Sequence, residues 1–431
     1  MTSNQNQPGE FDAVLGGEAP PPVQGVVLGG IEGVKRRLSS SNIEVGITSV
    51  SEALNYGDAG LYLLIEALKN KSRKTQKAAL KILKYIEYPQ VKLALKNYHF
   101  WRSFEKVYSI PCGYSTTFAN RKVIEFDPTT QISDTVDIAY TLRIIPAERY
   151  GKSVMSSVDK LQILLQNPLA NQIEALVFGL WYTSSLEDYT FRPVMDALLN
   201  AHEQLSNIKA LFIGDVNDYE LDYLPLVYSN FSYILLAYPQ LEVLKIRCNS
   251  SSRYYKYFTG LQFIPVRHEN LKAIIIESHG FYHYDVLDEI CQLELPALEY
   301  LELWLGSSDW AYEFVMKFIT DCPHIFPKLK YLGLRDCAFS DEFACAIVDS
   351  PIIENLLELD ISIGNLGYEG AECLLNSLSV RQLDTLDISD NCLPAELIER
   401  FKQLNIKVIA DRQKTPYRYY SAAESSNLTN I

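Results

Sequence analysis

Residues 298–337, LEYLELWLGSSDWAYEFVMKFITDCPHIFPKLKYLGLRDC, contain the same short phrase twice. The phrase is L-x-x-L-x-L, and its two copies are Leu298, Leu301 and Leu303, followed by Leu329, Leu332 and Leu334. The copies begin 31 residues apart, a spacing within the range of repeat proteins. This stretch predicts that the chain is built from stacked structural repeats.

The phrase recurs along the chain on both sides of this stretch. The first residues of its eight copies are Ile173, Ile208, Leu241, Leu271, Leu298, Leu329, Leu356 and Leu383. Residues 341–350 and 369–378, which lie between copies, instead carry apolar stripes of helical period. One strand and one helix cannot bury their apolar sides alone, but stacked copies can. The pattern therefore predicts an α/β leucine-rich repeat solenoid, with parallel strands inside and helices outside.

The remaining sequence predicts further segments on either side of the solenoid. Residues 28–100 alternate helical apolar stripes with short polar joints, whereas 122–126 and 138–142 alternate like strands. The predicted organisation is a flexible lead at 1–27, a small all-α module of HEAT-like helical repeats at 28–100, a connector and N-terminal cap of the solenoid at 101–165, the solenoid at 166–411 and a disordered tail at 412–431.

Composition and charge narrow the class of protein. The chain has 431 residues, 48% of them hydrophobic, and a formal net charge of −14. Residues 1–100 hold 12 basic and 9 acidic residues, whereas the remainder holds 27 and 44, so nucleic-acid binding by the acidic solenoid is disfavoured. No apolar run is long enough to span a membrane, and the start of the chain does not resemble a leader peptide. The eight cysteines lack C-x-x-C spacing, which favours a reduced, cytoplasmic protein without a metal site.

Several motifs give the chain a resemblance to known proteins. They are LELWLG at 301–306, YLGLR at 331–335, and LDIS at 359–362 followed by GAE at 370–372. In these motifs the chain resembles bacterial leucine-rich repeat proteins of an uncharacterised family, over about residues 115–421. The stretch GVVLGGIEGVKRRL at 25–38 resembles HEAT-type helical-repeat modules of cyanobacterial style. The resemblance implies a leucine-rich repeat fold fused to a helical module, and it assigns no activity.

The inner wall of such a solenoid is the strongest candidate for a binding surface. The strand positions predicted to line it, which we call the inner face, are Phe212, Lys245, Arg247, Ile275, Glu277, Tyr300, Glu302, Trp304, Tyr331, Arg335, Asp360 and Asp387. Aromatic and arginine side chains are enriched in binding hot spots, and the charges are polarised along the wall. We therefore predict a non-enzymatic scaffold or regulator that binds a protein partner on this face, with no cofactor or metal.

Two other functions remain open from the sequence. The run Lys69–Lys84 holds seven basic residues and no acidic one, which suits an acidic protein, a nucleic acid or an anionic membrane surface. Acidic residues also cluster at predicted strand ends, where they suit the acid and base of a hydrolase. These acidic residues are Asp215, Asp218, Asp387 and Asp390.

Overall fold

A computed structural model describes most of the chain. The described residues are 30–40, 42–70, 72–107, 109, 113–144, 155–181, 191–217, 220, 229–248, 261–278, 285–306, 311–321 and 325–414. The chain divides into two compact units, residues 1–102 and 103–431. The predicted flexible lead and positions 415–431 of the predicted tail lie outside the described residues.

The described residues of the first unit form helices joined by short turns. Its α-helices are α1 (Gly30–Leu38), α2 (Ile43–Ala53), α3 (Gly57–Ala67), α4 (Arg73–Leu83) and α5 (Pro89–Tyr98). Each of these five helices contributes a fully buried apolar side chain, and these are Val34, Val50, Leu64, Leu83 and Val91. Polar caps start two helices, because Asn42 Oδ1 accepts the N–H of Glu44 and Ser72 Oγ accepts the N–H of Thr75.

The second unit is an α/β structure built on one long sheet. Its described strands are β1 (Thr117–Phe118), β2 (Arg121–Glu125), β3 (Ile138–Leu142), β4 (Ala175–Phe178), β5 (Ala210–Ile213), β6 (Ser229–Asn230), β7 (Val243–Cys248), β8 (Leu261–Gln262), β9 (Ala273–Ser278), β10 (Tyr300–Trp304), β11 (Tyr331–Arg335), β12 (Glu358–Asp360), β13 (Thr385–Asp387) and β14 (Lys407–Ile409). Strands β6 and β8 pair separately, and the other twelve form one sheet in chain order. Only β1 and β2 are antiparallel within this sheet of described strands. This order is consistent with a solenoid and confirms the predicted α/β class with a long parallel sheet.

The repeat phrase sets the register of the sheet. The middle apolar residues of the eight copies pair directly in one row, which runs through Leu176, Leu211, Leu244, Ile274, Leu301, Leu332, Leu359 and Leu386. Tyr140 of β3, in the strand-like pattern at 138–142, continues the row at one end, and Val408 of β14 continues it at the other. Because strand side chains alternate, this row fixes which residues face the helices and which face away.

Helices cover the leucine side of the sheet. They are α6 (Ser157–Leu164), α7 (Arg192–Asn200), α8 (Ser232–Ala237), α9 (Asp285–Cys291), α10 (Ala311–Asp321), α11 (Ser340–Ile347), α12 (Ile352–Asn355), α13 (Tyr368–Asn376) and α14 (Ala395–Lys402). Buried helix residues such as Leu198 and Ile347 belong to the same apolar core as Leu301. Each leucine buried in this way stabilises the fold by about 1.5–3 kcal/mol. None of the described helices is long and apolar enough to cross a membrane.

The cysteines depart in part from the prediction of a fully reduced protein. Cys345 on α11 and Cys373 on α13 form a disulfide between neighbouring helices. The prediction is wrong for this pair, because stacking of successive repeats brings together residues that lie 28 apart in the sequence. Cys248 and Cys337 are free and buried, and burial raises the pKa of each thiol to about 12.

Candidate functional site

The inner-face residues are brought together as predicted, but they are not exposed. Phe212, Lys245, Ile275 and Glu302 pair in one row, which continues through Gly333 to Asp360 and Asp387. Every one of the twelve predicted residues is buried, and none exposes more than 8% of its surface. A binding surface needs accessible rings and charges, and the prediction of such a surface is wrong in this respect, because the structure buries them. Their role in partner binding stays a prediction.

A segment of the same unit covers part of this face. Residues 104–107, which we call the strap, cross it without forming a helix or a strand. The Phe104 ring meets Tyr300 edge to face, with ring centroids 5.4 Å apart. The carbonyl oxygen of Val107 accepts a hydrogen bond from Arg335 Nη2 at 2.5 Å. The strap therefore contacts inner-face residues of two adjacent strands.

Lys106 joins the strap to the acidic end of the inner face. Its Nζ lies 2.7 Å from Asp360 Oδ2 and 2.5 Å from Asp387 Oδ2. Burial lowers the pKa of Lys106, but the two carboxylates outweigh burial and raise this pKa above its ordinary value. Burial also acts to raise the pKa of Asp360, yet Arg335 and Lys106 hold it well below its usual range. The aspartates predicted to face a partner are thus both paired with a lysine of the same chain.

Arg335 links three strands at the centre of the inner face. Its Nη1 donates to Glu302 Oε1 at 2.9 Å, and its Nε donates to Ser362 Oγ at 2.9 Å. The same Nε lies 3.5 Å from Asp360 Oδ2, and the guanidinium stands 4.8 Å from the centre of the Trp304 ring. Burial lowers the pKa of Arg335, but Asp360 and Glu302 raise it well above its ordinary value. Arg335 is therefore a charged structural link between strands.

Two stacked tyrosines stand beside Arg335. The rings of Tyr300 and Tyr331 lie with centroids 3.9 Å apart and planes 9° from parallel. The Tyr331 hydroxyl donates to Asp360 Oδ2 at 2.8 Å, whereas the Tyr300 hydroxyl donates to Glu302. Trp304 Nε1 also donates to Glu302, at 2.9 Å. Burial, together with these carboxylates, raises the pKa of both phenols well above the ordinary value, so both act as neutral donors.

A second buried ion cluster occupies the basic end of the inner face. Glu277 accepts from Lys245 Nζ and from Arg247 Nε, each at 2.7 Å. Both cations also stand near the Phe212 ring, at 4.7 and 5.3 Å from its centre. Burial acts to raise the pKa of Glu277, but Arg247 and Lys245 lower it to about 2. These charges stabilise one another within the sheet.

The strand-end aspartates predicted as a hydrolase site are engaged in other contacts. Asp215 Oδ1 accepts the N–H of Ser115 at 3.0 Å, and its Oδ2 lies 3.2 Å from Arg143 Nη1. Asp390 Oδ2 lies 2.8 Å from Arg412 Nη2. The other two members of this predicted set are Asp387, which meets the strap, and Asp218, which lies outside the described residues. Each described member therefore has a cationic partner.

A cavity of about 120 Å³ lies between the inner face and the residues that cover it. Its floor includes Lys245, Glu277 and Glu302, and Phe104 and Phe118 are among the residues above it. This volume has room for a few water molecules or for part of a side chain. The covering residues therefore leave space above the charged floor.

Three residues that shape this site escaped the sequence analysis, namely Phe104, Lys106 and Gly333. A Cβ on Gly333 would lie 3.0 Å from Tyr331 Cε1 and 3.2 Å from Glu302 Cγ, so the bare backbone makes room for the tyrosine ring. Gly333 adds no side chain to the inner face, so its residue type alone does not identify it as part of the site. The excess of carboxylates over cations on this face signals a missing cation, but it does not identify Lys106.

The basic run of the first unit, Lys69–Lys84, begins before α4, includes all of α4 and ends at Lys84 directly after it. Lys74, Lys81 and Lys84 are exposed, and the adjacent Tyr85 exposes 88% of its surface. Lys71, another member of the run, lies outside the described residues. This surface is accessible to a partner, and its binding role stays a prediction.

Comparison with solved structures finds proteins of similar fold. A protein of known crystal structure from Bacteroides fragilis is similar at 24% sequence identity and a TM-score of 0.54, over 63% of this chain and 74% of that chain. An internalin from Listeria monocytogenes matches 56% of each chain at 16% identity and a TM-score of 0.29. The yeast complex of Rad7 and Elc1 gives a match over 86% of this chain and 98% of that chain, at 12% identity and a TM-score of 0.25.

These likenesses bear on the fold and not on the activity. The Bacteroides protein shares the fold over the matched residues, and the other two similarities are too weak to support an argument. No known protein-family profile matches the chain, and no curated protein does.

Proposed function

We propose that this protein is a non-enzymatic interaction scaffold that binds a protein partner on the inner face. In this proposal the second unit is a leucine-rich repeat solenoid of bacterial type, and the first unit is a HEAT-type helical-repeat module. The eight in-register copies of the repeat phrase support the first assignment. The succession of short helices joined by tight turns supports the second.

The observation that carries the proposal is the strap, because the inner face already holds a stretch of polypeptide. The strap offers a ring through Phe104, a cation through Lys106 and a carbonyl oxygen through Val107. The face meets these groups with an aromatic ring, two carboxylates and an arginine. Such groups, desolvated and well packed, are typical of binding hot spots. A surface that accommodates one extended segment is suited to another of the same chemistry.

Photo-crosslinking in cells tests this proposal. A photoreactive amino acid replaces Glu105, an exposed residue of the strap, and in a control replaces Tyr368, which is 60% exposed on α13. We expect a discrete protein adduct from position 105 and none from position 368. The strap stays tethered next to the inner face even when a partner occupies that face, whereas position 368 lies on a helix. Adducts of equal yield from both positions, or no adduct from position 105, contradict the proposal.

A second candidate function rests on the exposed lysines and Tyr85 of the basic run. An aromatic side chain among lysines is a pattern that suits single-stranded nucleic acid. The full chain is titrated with labelled single-stranded RNA, and Lys81→Glu with Lys84→Glu is compared with wild type. Salt-sensitive binding that is lost in the variant favours this function. Binding that does not change with salt or with the substitutions rejects it.

A further inference from the structure

The inner face carries an unbalanced set of charges. Its cations are Lys245, Arg247 and Arg335, and its carboxylates are Glu277, Glu302, Asp360 and Asp387. Four carboxylates face three cations, so the face by itself holds one surplus negative charge. Buried charges are tolerated when they are paired and become costly when they are not. The surplus therefore predicts that a cation from outside these strands must complete the face.

Lys106 supplies that cation, at the point where the surplus lies. Glu277 pairs with two cations at the basic end, whereas Asp360 and Asp387 share Lys106 at the other. The aspartates expose only 1% of their side-chain surface, but the Lys106 side chain remains 30% exposed. The sheet thus holds the two aspartates in place, and the lysine that pairs with them lies on their solvent-facing side.

The strap presents its side chains alternately, as an extended chain does. Phe104 and Lys106 contact the inner face, and Glu105 between them is exposed. Val107 then contributes its carbonyl oxygen to Arg335. The contacts define a short recognition pattern, consisting of an aromatic residue, any residue and a basic residue, followed by one backbone acceptor.

Building on the proposed function, we propose that Asp360 and Asp387 form a subsite for a lysine or arginine side chain. The strap is its internal occupant. The partner is a protein whose extended segment carries an aromatic residue two positions before a basic one, and this segment takes the place of Phe104–Val107.

The contacts of the strap allow a partner segment to replace it. No residue of the strap pairs with a strand of the sheet, so its release breaks no backbone ladder. An incoming segment of the same pattern restores the ring contact, the ion pair and the carbonyl hydrogen bond. The strap is tethered, and tethering gives a segment an effective concentration in the millimolar range. The strap therefore acts as an internal competitor that raises the affinity a partner needs.

A synthetic peptide in place of the partner tests the proposal. The probe is a fluorescent RSFEKVYS peptide, the sequence of residues 102–109, and its binding to full-length protein is followed by anisotropy. The receptor is Phe104→Ala with Lys106→Ala, which removes the internal competitor. Wild type and Lys402→Ala, which changes a surface lysine paired with Glu399, are the controls. We expect the double variant to bind the peptide at least tenfold more tightly than both controls.

The charge requirement is tested on the peptide, which cannot misfold. A probe with Met in place of the lysine is expected to bind the double variant at least tenfold more weakly, and added salt should weaken only the lysine probe. Asp387→Asn in the double variant is expected to weaken binding of the lysine probe to the same extent, with circular dichroism as the check of folding.

Equal binding of the two probes overturns the basic subsite and leaves the proposed function standing. Failure of both probes to bind overturns the inference, and the Glu105 crosslink then decides the proposed function separately.

Discussion

Arg335 and Glu302 form a buried ion pair between β10 and β11, with Nη1 2.9 Å from Oε1. The arginine side chain has no exposed surface, and the glutamate exposes 6%. A pair of this kind adds little net stability over a well-packed apolar pair, but it is costly to break from one side. The same arginine also forms an ion pair with Asp360, so its removal deprives two buried carboxylates of a cationic partner.

We therefore expect Arg335→Met to lower the free energy of unfolding by about 3–5 kcal/mol. The measurement is urea unfolding followed by circular dichroism. Arg267→Met is the matched control, because Arg267 is 57% exposed and its ion pairs are at the surface, where such pairs contribute about 0–1 kcal/mol. Equal losses in the two variants would show that the buried pair has no special role.

Glu277 predicts a pH dependence of stability. Burial acts to raise its pKa from the ordinary 4.5, but Arg247 and Lys245 lower it to about 2, so the folded state favours the ionised form. Its contribution is fully present above about pH 4.5 and is lost as the pH falls from there towards 2. Glu277→Gln should be less stable than the wild type at neutral pH. Its melting temperature should fall less than that of the wild type between pH 5 and pH 3, because the variant has no carboxylate to protonate at this position. Glu399→Gln, at an exposed pair, serves as the control.

Gly333 predicts a local packing effect. An alanine Cβ would come within 3.0 Å of the Tyr331 ring, which is already held by its stack on Tyr300. We expect Gly333→Ala to cost about 1–3 kcal/mol, because the ring must move to admit one methyl group. Gly113→Ala is the control, since a Cβ there meets no atom within 4 Å. A calorimetric melting temperature that is unchanged in Gly333→Ala would show that the ring yields freely.

The disulfide between Cys345 and Cys373 predicts sensitivity to reductant. The two residues are 28 apart in sequence, and closing a loop of that length stabilises a fold by about 3–4 kcal/mol in the chain-entropy model. Dithiothreitol should therefore lower the melting temperature of the wild type. It should not change that of the variant with Cys345→Ala and Cys373→Ala. An equal shift in both proteins would place the effect at another cysteine.

The repeat phrase carries most of the information about the second unit. Eight copies of one spacing predict eight parallel strands and their register, because alternation along a strand leaves one arrangement that buries every leucine. The helices predicted at residues 341–350 and 369–378 likewise follow from apolar periodicity, in this case the helical one. In the structure they are Ser340–Ile347 and Tyr368–Asn376.

The state of the inner face is not predictable in the same way. Side-chain alternation indicates which residues share a face, but it does not indicate whether another segment covers that face. Lys106 and Asp387 are 281 residues apart, and the strap has no periodicity that would mark its destination. Long-range contacts of single side chains leave no local pattern, so the burial of Tyr300 and Asp360 could only come from the structure.

The order of charges along the inner face also constrains how this protein can evolve. Glu302, Gly333 and Asp360 occupy matching positions on three successive strands, and Arg335 stands between the two carboxylates. Loss of the repeat that contains β11 would place Glu302 directly against Asp360, two buried anions without their shared arginine. The central repeats are therefore not interchangeable units. A deletion of one central repeat separates a buried charge from its partner and is expected to destabilise the fold. The order of the central repeats therefore limits which deletions the protein tolerates.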